Sequence, residues 1–121
     1  MGAVLLDQKV IAGVGNVYRS EILFLCRINP ATAPYDLGGD EIAGLWTTAR
    51  EELRHGLADQ AIITVRPRDV GASRRANLPP QLRVYTYKRE RRPCLRCRTP
   101  IAATEMAKRM VWWCPSCQPT R

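Results

Sequence analysis

Apolar positions recur with a helical period in three places along this chain. Residues 4–11 read as a short helix stopped by Ala12-Gly13, and Gly13-Val14-Gly15-Asn16 then make a tight turn. A second helix is predicted from about residue 16 to residue 27, with Val17, Tyr18, Ile22, Leu25 and Cys26 near helical spacing. Asn16 is placed to cap it, because a short side-chain acceptor satisfies a free N–H of the first turn. Pro30, Pro34 and Gly38-Gly39 mark the next stretch as loop.

The clearest period runs over residues 40–58. Ile42, Leu45, Trp46, Ala49, Leu53 and Leu57 form one apolar stripe, with Asp40, Glu41, Arg50, Glu51 and Arg54 off it. Glu51-Glu52 reads as solvated helix face, His55 as a surface or packing histidine, and Cys26 as a small buried apolar residue. Residues 61–65 are rich in β-branched side chains, so a short helix and an extended run both remain open. Residues 66–82 hold three prolines and Gly71 with little periodicity, and are expected to form a long loop, a candidate for mobility or disorder in the absence of a partner.

Beyond this point the pattern gives way to chemistry. Cys94-Leu95-Arg96-Cys97 and Cys114-Pro115-Ser116-Cys117 are separated by 16 residues. That falls in the window of a four-thiolate zinc site, where two C-x-x-C turns complete the tetrahedron of one structural Zn2+. The insert is long enough for two short strands and a hairpin, the layout of a zinc ribbon. Two disulfides or two redox motifs are the competing readings, but the Arg- and Pro-rich flanks lack the βαβ context of a redox site. The expected architecture is therefore mainly α, a small helical domain over residues 1–82 followed by a β-hairpin zinc ribbon over residues 83–121.

Charge sharpens the picture. The 121 residues carry a net charge of +8, but residues 1–60 hold five Lys/Arg against eight Asp/Glu. Residues 61–121 hold 14 against three. Such a half, with Val84, Tyr85, Tyr87, Trp112 and Trp113 interleaved, has the electrostatic footprint of a phosphate-backbone binder. No stretch approaches the ~18 apolar residues of a membrane helix, and no signal-peptide layout opens the chain. Committed thiols fit a reducing compartment, so the expected setting is cytoplasmic, nucleoid-associated in a bacterium. The glycine-rich turn before Asn16 is either a seat for a phosphate at a helix N-terminus or a plain helix–helix corner.

Two motifs carry a resemblance. Leu5-Leu6-Asp7-Gln8-Lys9-Val10-Ile11-Ala12-Gly13-Val14-Gly15-Asn16-Val17-Tyr18-Arg19-Ser20-Glu21-Ile22-Leu23-Phe24 is similar to the helix–two-turns–helix signature of the formamidopyrimidine-DNA glycosylase/endonuclease VIII family. The stretch from Tyr87 to Cys94, the four cysteines, and Arg109 through Cys114-Pro115-Ser116-Cys117-Gln118 resemble the zinc finger of the same family. Members excise oxidised bases and cleave the backbone at the abasic site, using an N-terminal proline with a glutamate beside it. Here the first residues are Met1-Gly2-Ala3. The resemblance thus implies the DNA-binding half of such an enzyme, which binds DNA holding a damaged base or abasic site as a monomer and does not cleave it. The alternative is a stand-alone zinc-ribbon nucleic-acid module.

The resemblance also implies roles. Asn16 matches a family asparagine that binds a phosphate beside the lesion, Lys9 a basic position before the turn, and Arg109 the arginine of the finger hairpin that grips phosphates. Lys88, Arg91 and Arg98 stand where the family often has glycine, which is expected to alter the turns entering the metal site or to add non-specific DNA contact. Trp112-Trp113 takes the place of a pair packed beside the metal, so at least one is expected in the core.

Overall fold

The computed structural model describes residues 15–59, 61–74, 78–106 and 108–120. The expected helix over residues 4–11, and with it Lys9, lies outside them. Of Asn16 the backbone is described and the side chain is not.

Helix α1 spans Asn16–Leu25. Its N-cap is Gly15, with φ −85° and ψ −178°, and no side chain caps it. Asn16 is therefore the first helical residue, one position past the cap expected of it. The reason is local: glycine takes the extended cap conformation freely, and the Gly15 carbonyl accepts from Arg19 N at 3.0 Å. The helix ends as Cys26 N and Arg27 N donate to Ile22 O and Phe24 O, and Arg27 turns left-handed at φ 58°. Asn29 then makes an Asx turn, its Oδ1 accepting from Ala31 N at 2.9 Å.

Helix α2 spans Gly39–Asp59. Glu41 reaches back to accept from Gly38 N at 3.1 Å, half of a capping box. Asp40 and Glu41 both suit the positive end of the helix dipole. Of the predicted stripe, Leu45 and Ala49 are buried and Leu53 half-buried, packing with Tyr18, Ile22, Leu23, Ile28 and Leu37 of the α1 side. Ile42, Trp46 and Leu57 remain exposed, so the buried stripe is narrower than the periodicity suggests. Gly56 makes the close approach possible, since a Cβ there would overlap the Tyr18 hydroxyl.

Residues 61–65 are irregular, not helical; Thr64 N and Val65 N both donate to Arg83 O, at 2.8 and 3.1 Å. The predicted loop holds 3-10 turns at Pro67–Val70 and Pro80–Leu82. The first is pinned: Tyr85 Oη donates to Asp69 Oδ2 at 2.5 Å and Arg96 Nε donates to the same oxygen at 2.9 Å. Side chains far along the sequence thus tie residues 67–70 to the rest of the fold.

Strands β1 (Ala102–Met106) and β2 (Arg109–Trp113) form an antiparallel hairpin in register Ala102↔Trp113 to Met106↔Arg109. Among the described residues the architecture is thus two helices and one small hairpin, which bears out the helical-plus-ribbon expectation and supports "mainly α" only loosely. One apolar cluster joins Phe24, Ile63, Val65, Leu78 and Tyr85 to Cys94, Ile101, Trp112, Cys114 and Cys117. The core therefore runs across the expected boundary at residue 82. Phe24 and Tyr85 stack at 4.5 Å between centroids, Trp112 is buried edge-on against Tyr87 at 5.0 Å, and Trp113 is half-buried.

Candidate metal centre and nucleic-acid face

The two C-x-x-C turns converge. Ligand atoms of Cys94, Cys97, Cys114 and Cys117 all lie within 4.8 Å of one another, with Cys94–Cys117 sulfurs 3.9 Å apart and Cys97–Cys114 sulfurs 3.3 Å apart. Each turn aims one N–H at its leading sulfur: Arg96 N at Cys94 Sγ and Cys117 N at Cys114 Sγ, both 3.4 Å. Such donors stabilise thiolate charge. Four sulfurs this close cannot all ionise unaided. Burial opposes ionisation at Cys97, yet the Thr99 hydroxyl and N–H bring its thiol down to about 6, while burial and neighbouring sulfurs push Cys114 and Cys117 up. A soft divalent cation removes the conflict by letting all four serve as thiolates, and zinc is the ion that tetrahedral S4 sites hold. The donor set fits one structural Zn2+; the competing disulfide and redox readings do not explain four sulfurs around one point.

The ribbon is locked to α1. Arg19, fully buried, donates through Nη2 to the carbonyl of Met110, and Trp112 N donates to Ser20 Oγ at 3.2 Å. Gln118, also buried, accepts from Cys114 N and donates to Ile28 O, both at 2.9 Å, and its carbonyl accepts from Asn29 Nδ2 at 2.9 Å. These bonds hold strand β2 beside the first turns of α1. Arg109 opens β2 as an exposed side chain, close enough to Arg19 that its charge, after burial, lowers the Arg19 guanidinium's pKa. Two cations crowded at the junction make it attractive to an anion. Of the sequence-predicted site residues, the four cysteines come together and Arg109 comes beside the helix that Asn16 opens. Lys9 and the Asn16 side chain fall outside the described atoms.

Glu21 is the residue that sequence reasoning passes over. Its carboxylate is fully buried and accepts from Tyr85 N (2.6 Å), Thr86 N (2.8 Å), Thr86 Oγ1 (2.8 Å), Tyr87 N (3.1 Å) and the Thr64 hydroxyl. It ties α1 to the strand of chain entering the metal site. The signal was available: Glu21 stands three residues after Tyr18 and four after Val17, an acid inside an apolar stripe. Glu52 corrects the solvated-face reading of Glu51-Glu52. It is buried, accepts from Arg66 Nη1 at 2.7 Å and lies 3.2 Å from His55 Nδ1. That side of α2 faces inward, toward Arg66 of the segment that follows the helix. Cys26 is half-buried, its Sγ 3.4 Å from Thr48 Oγ1, and burial raises its thiol.

The corners at Lys88, Arg91 and Arg98 have a glycine-like backbone. Lys88, Arg91 and Arg98 have φ of 55°, 68° and 67°, and so adopt the left-handed turns that glycine adopts freely. Each such corner costs a side-chain-bearing residue about 1 kcal/mol. The turns into the metal site therefore carry long side chains on backbone that favours glycine.

Comparison with known proteins agrees with this geometry. Residues 1–67 match the family described as "Formamidopyrimidine-DNA glycosylase H2TH domain", and residues 92–120 match "Zinc finger found in FPG and IleRS". Endonuclease 8 1 of Mycobacterium tuberculosis is 42% identical over 119 residues, covering 98% of this chain and 44% of the relative. Formamidopyrimidine-DNA glycosylase of Chloroflexus aggregans is 40% identical over 116 residues, covering 96% and 41%. The chain thus spans less than half the length of these relatives. Among solved structures, the MutM (Fpg) protein of Thermus thermophilus superposes with TM-score 0.75 at 34% identity, covering 97% of this chain and 44% of that one. A Lactococcus lactis Fpg in complex with an abasic-site-containing DNA gives 0.75 at 26% identity, covering 98% and 42%.

Proposed function

Because the chain belongs to the formamidopyrimidine-DNA glycosylase H2TH family, we propose that it supplies the DNA-binding part of a base-excision-repair glycosylase and abasic-site lyase acting on oxidised bases. Its partner is duplex DNA carrying a damaged base or an abasic site, which is what the similar Lactococcus lactis proteins hold. Asn16 and Arg109 take the phosphates flanking the lesion, with Lys9 as a further cation. Arg109 is suited to this: an exposed guanidinium presents a fork of donors that matches phosphate oxygens two at a time. Asn16 is suited by position, at the N-terminus of α1 where backbone N–H groups and the helix dipole favour an anion.

The zinc ion performs no chemistry in this scheme. Four thiolates leave it no open coordination position, so it shapes the ribbon and fixes the hairpin that presents Arg109. Arg19 and Ser20 set that hairpin against α1, and Glu21 holds the approach to the metal. Taken by itself, the chain binds DNA without cutting it. The exposed cations of the described residues suit contact with backbone phosphates.

One observation carries the reading: a buried arginine and a hydroxyl of α1 bond the very strand that bears Arg109. The test is binding of zinc-loaded protein to abasic-site duplex over a salt series, followed by borohydride trapping. Steeply salt-dependent binding with no trapped covalent complex is expected. Salt-independent binding contradicts the electrostatic interface, and trapping at enzyme-like efficiency contradicts binding without cleavage.

A further inference from the structure

Among the described residues, every non-glycine residue with a positive φ is a cation: Arg27, Lys88, Arg91, Arg98 and Lys108. Left-handed backbone is the natural place for glycine or asparagine, not for long cationic side chains. Strain that persists where glycine would remove it points to a use for the side chain. At these positions that use is not an internal ion pair. All five are exposed, and none pairs with a carboxylate among the described residues. Lys88 Nζ lies 5.4 Å from the Tyr87 ring centroid, a surface contact that leaves its charge open to solvent. The nearest acid in sequence, Glu90, is engaged otherwise, accepting from Trp112 Nε1 at 2.6 Å.

Three of the five bracket the metal site. Arg91 N donates to Ile101 O at 2.8 Å, Cys94 N to Thr99 O at 2.8 Å, and Arg98 N to Cys94 O at 2.9 Å. Residues 91–94 and 98–101 therefore run side by side, with Arg91 and Arg98 at opposite ends of the pairing, about three residues or roughly 10 Å apart along it. Lys88 borders a half-open cavity of about 310 Å³ that it shares with Arg89, Arg92 and Tyr87. The hairpin tip, with Lys108 and Arg109, lies at the other end of five-residue strands, roughly 17 Å from this base. One phosphate cannot be shared between the two ends.

We infer that the base of the ribbon, through Lys88, Arg91 and Arg98, is a second nucleic-acid contact: it grips backbone phosphates about five nucleotide steps from those held by Arg109. This deepens the proposed function and rests on it. The spacing suits a duplex, whose strand places one phosphate per 3.4 Å of axis, so roughly 17 Å spans about five steps. The contact adds affinity and salt dependence and no base preference, since phosphates carry no sequence.

Two triple variants separate charge from backbone. K88G/R91G/R98G removes three charges and the strain together, whereas K88Q/R91Q/R98Q removes the charges and keeps the strain. Zinc content, Tm, and affinity for a 20-base-pair duplex across a salt series are measured for both. The inference predicts full zinc loading and a log–log salt slope shallower by roughly 2.7 in each, since each lost phosphate contact removes about 0.9. At the lowest salt both should bind about tenfold or more weakly than the unmodified chain. Only the glycine variant should gain Tm. Unchanged slope and affinity in either variant overturns the inference, and so does weaker binding at an unchanged slope, which marks a structural effect. If the unmodified chain itself shows no salt-dependent binding, the proposed function fails first, and that result is distinct from either of these.

Discussion

Arg19, one turn into α1, donates to the backbone carbonyl of Met110, the residue beside Arg109 on β2. A side chain from the helical part thus reaches 91 positions along the sequence to set the strand that carries the exposed cation. Replacing Arg19 by methionine keeps the apolar stem and deletes the bond. It should cost about 1–3 kcal/mol of stability, the range for stranding a buried partner. DNA affinity should fall although Arg19 is buried, and a variant with unchanged affinity would show that the hairpin holds its place without it.

Glu21 offers a sharper stability test. Its carboxylate receives donors from Thr64, Tyr85, Thr86 and Tyr87. In Glu21→Gln one acceptor oxygen becomes an NH2 facing N–H groups, so at least two donors lose their partner. The expected loss is about 3 kcal/mol or more by denaturant titration. A loss under about 1 kcal/mol would mean that water or a neighbour replaces the carboxylate.

Gly56→Ala should be destabilising by about 1–3 kcal/mol, because the new methyl overlaps the Tyr18 hydroxyl. Removing that hydroxyl leaves the ring carbon at an ordinary 3.5 Å. The double variant Gly56→Ala with Tyr18→Phe should therefore be more stable than additivity of the two single changes allows. Strict additivity would place the strain elsewhere.

The pH dependence follows from Tyr85 and Asp69. Burial first, then the Asp69 carboxylate, raise the Tyr85 hydroxyl from 10.0 to about 12. A raised folded-state value means stability fully present below pH 10 and lost as pH climbs through about 12. Asp69 has the opposite sign: burial works to raise its carboxyl, but the Tyr85 and Arg96 hydrogen bonds outweigh it and hold the group below 3.8. Its contribution is present above that value and lost as pH falls through its lower folded value. Tyr85→Phe should remove most of the excess stability loss between pH 10 and 12, measured against the unmodified chain. An identical alkaline profile would detach the effect from Tyr85.

Much of this was legible beforehand, and the failures share a cause. Periodicity placed α1 and α2, and thiol spacing placed the metal site, because both depend on residues near in sequence. Glu52 was misread because its partner Arg66 lies beyond the helix, on a segment whose packing no period reveals. The anchoring of residues 67–70 was hidden for the same reason: Arg96 crosses 27 positions to reach Asp69 and lies over the Tyr85 ring at 4.7 Å. The cap expected at Asn16 fell one residue early, on Gly15, which is the resolution at which helix ends are read.

Arg109 carries the central claim, and its replacement by alanine tests that claim most directly. The side chain is exposed, so the variant should fold and load zinc as the unmodified chain does. Affinity for abasic-site duplex should fall by about 1.5–3 kcal/mol, the range for a charged hydrogen bond, with the salt slope reduced by about 1. Sequence preference should not change. Equal affinity and an equal slope in a folded, zinc-loaded Arg109→Ala chain would contradict the account.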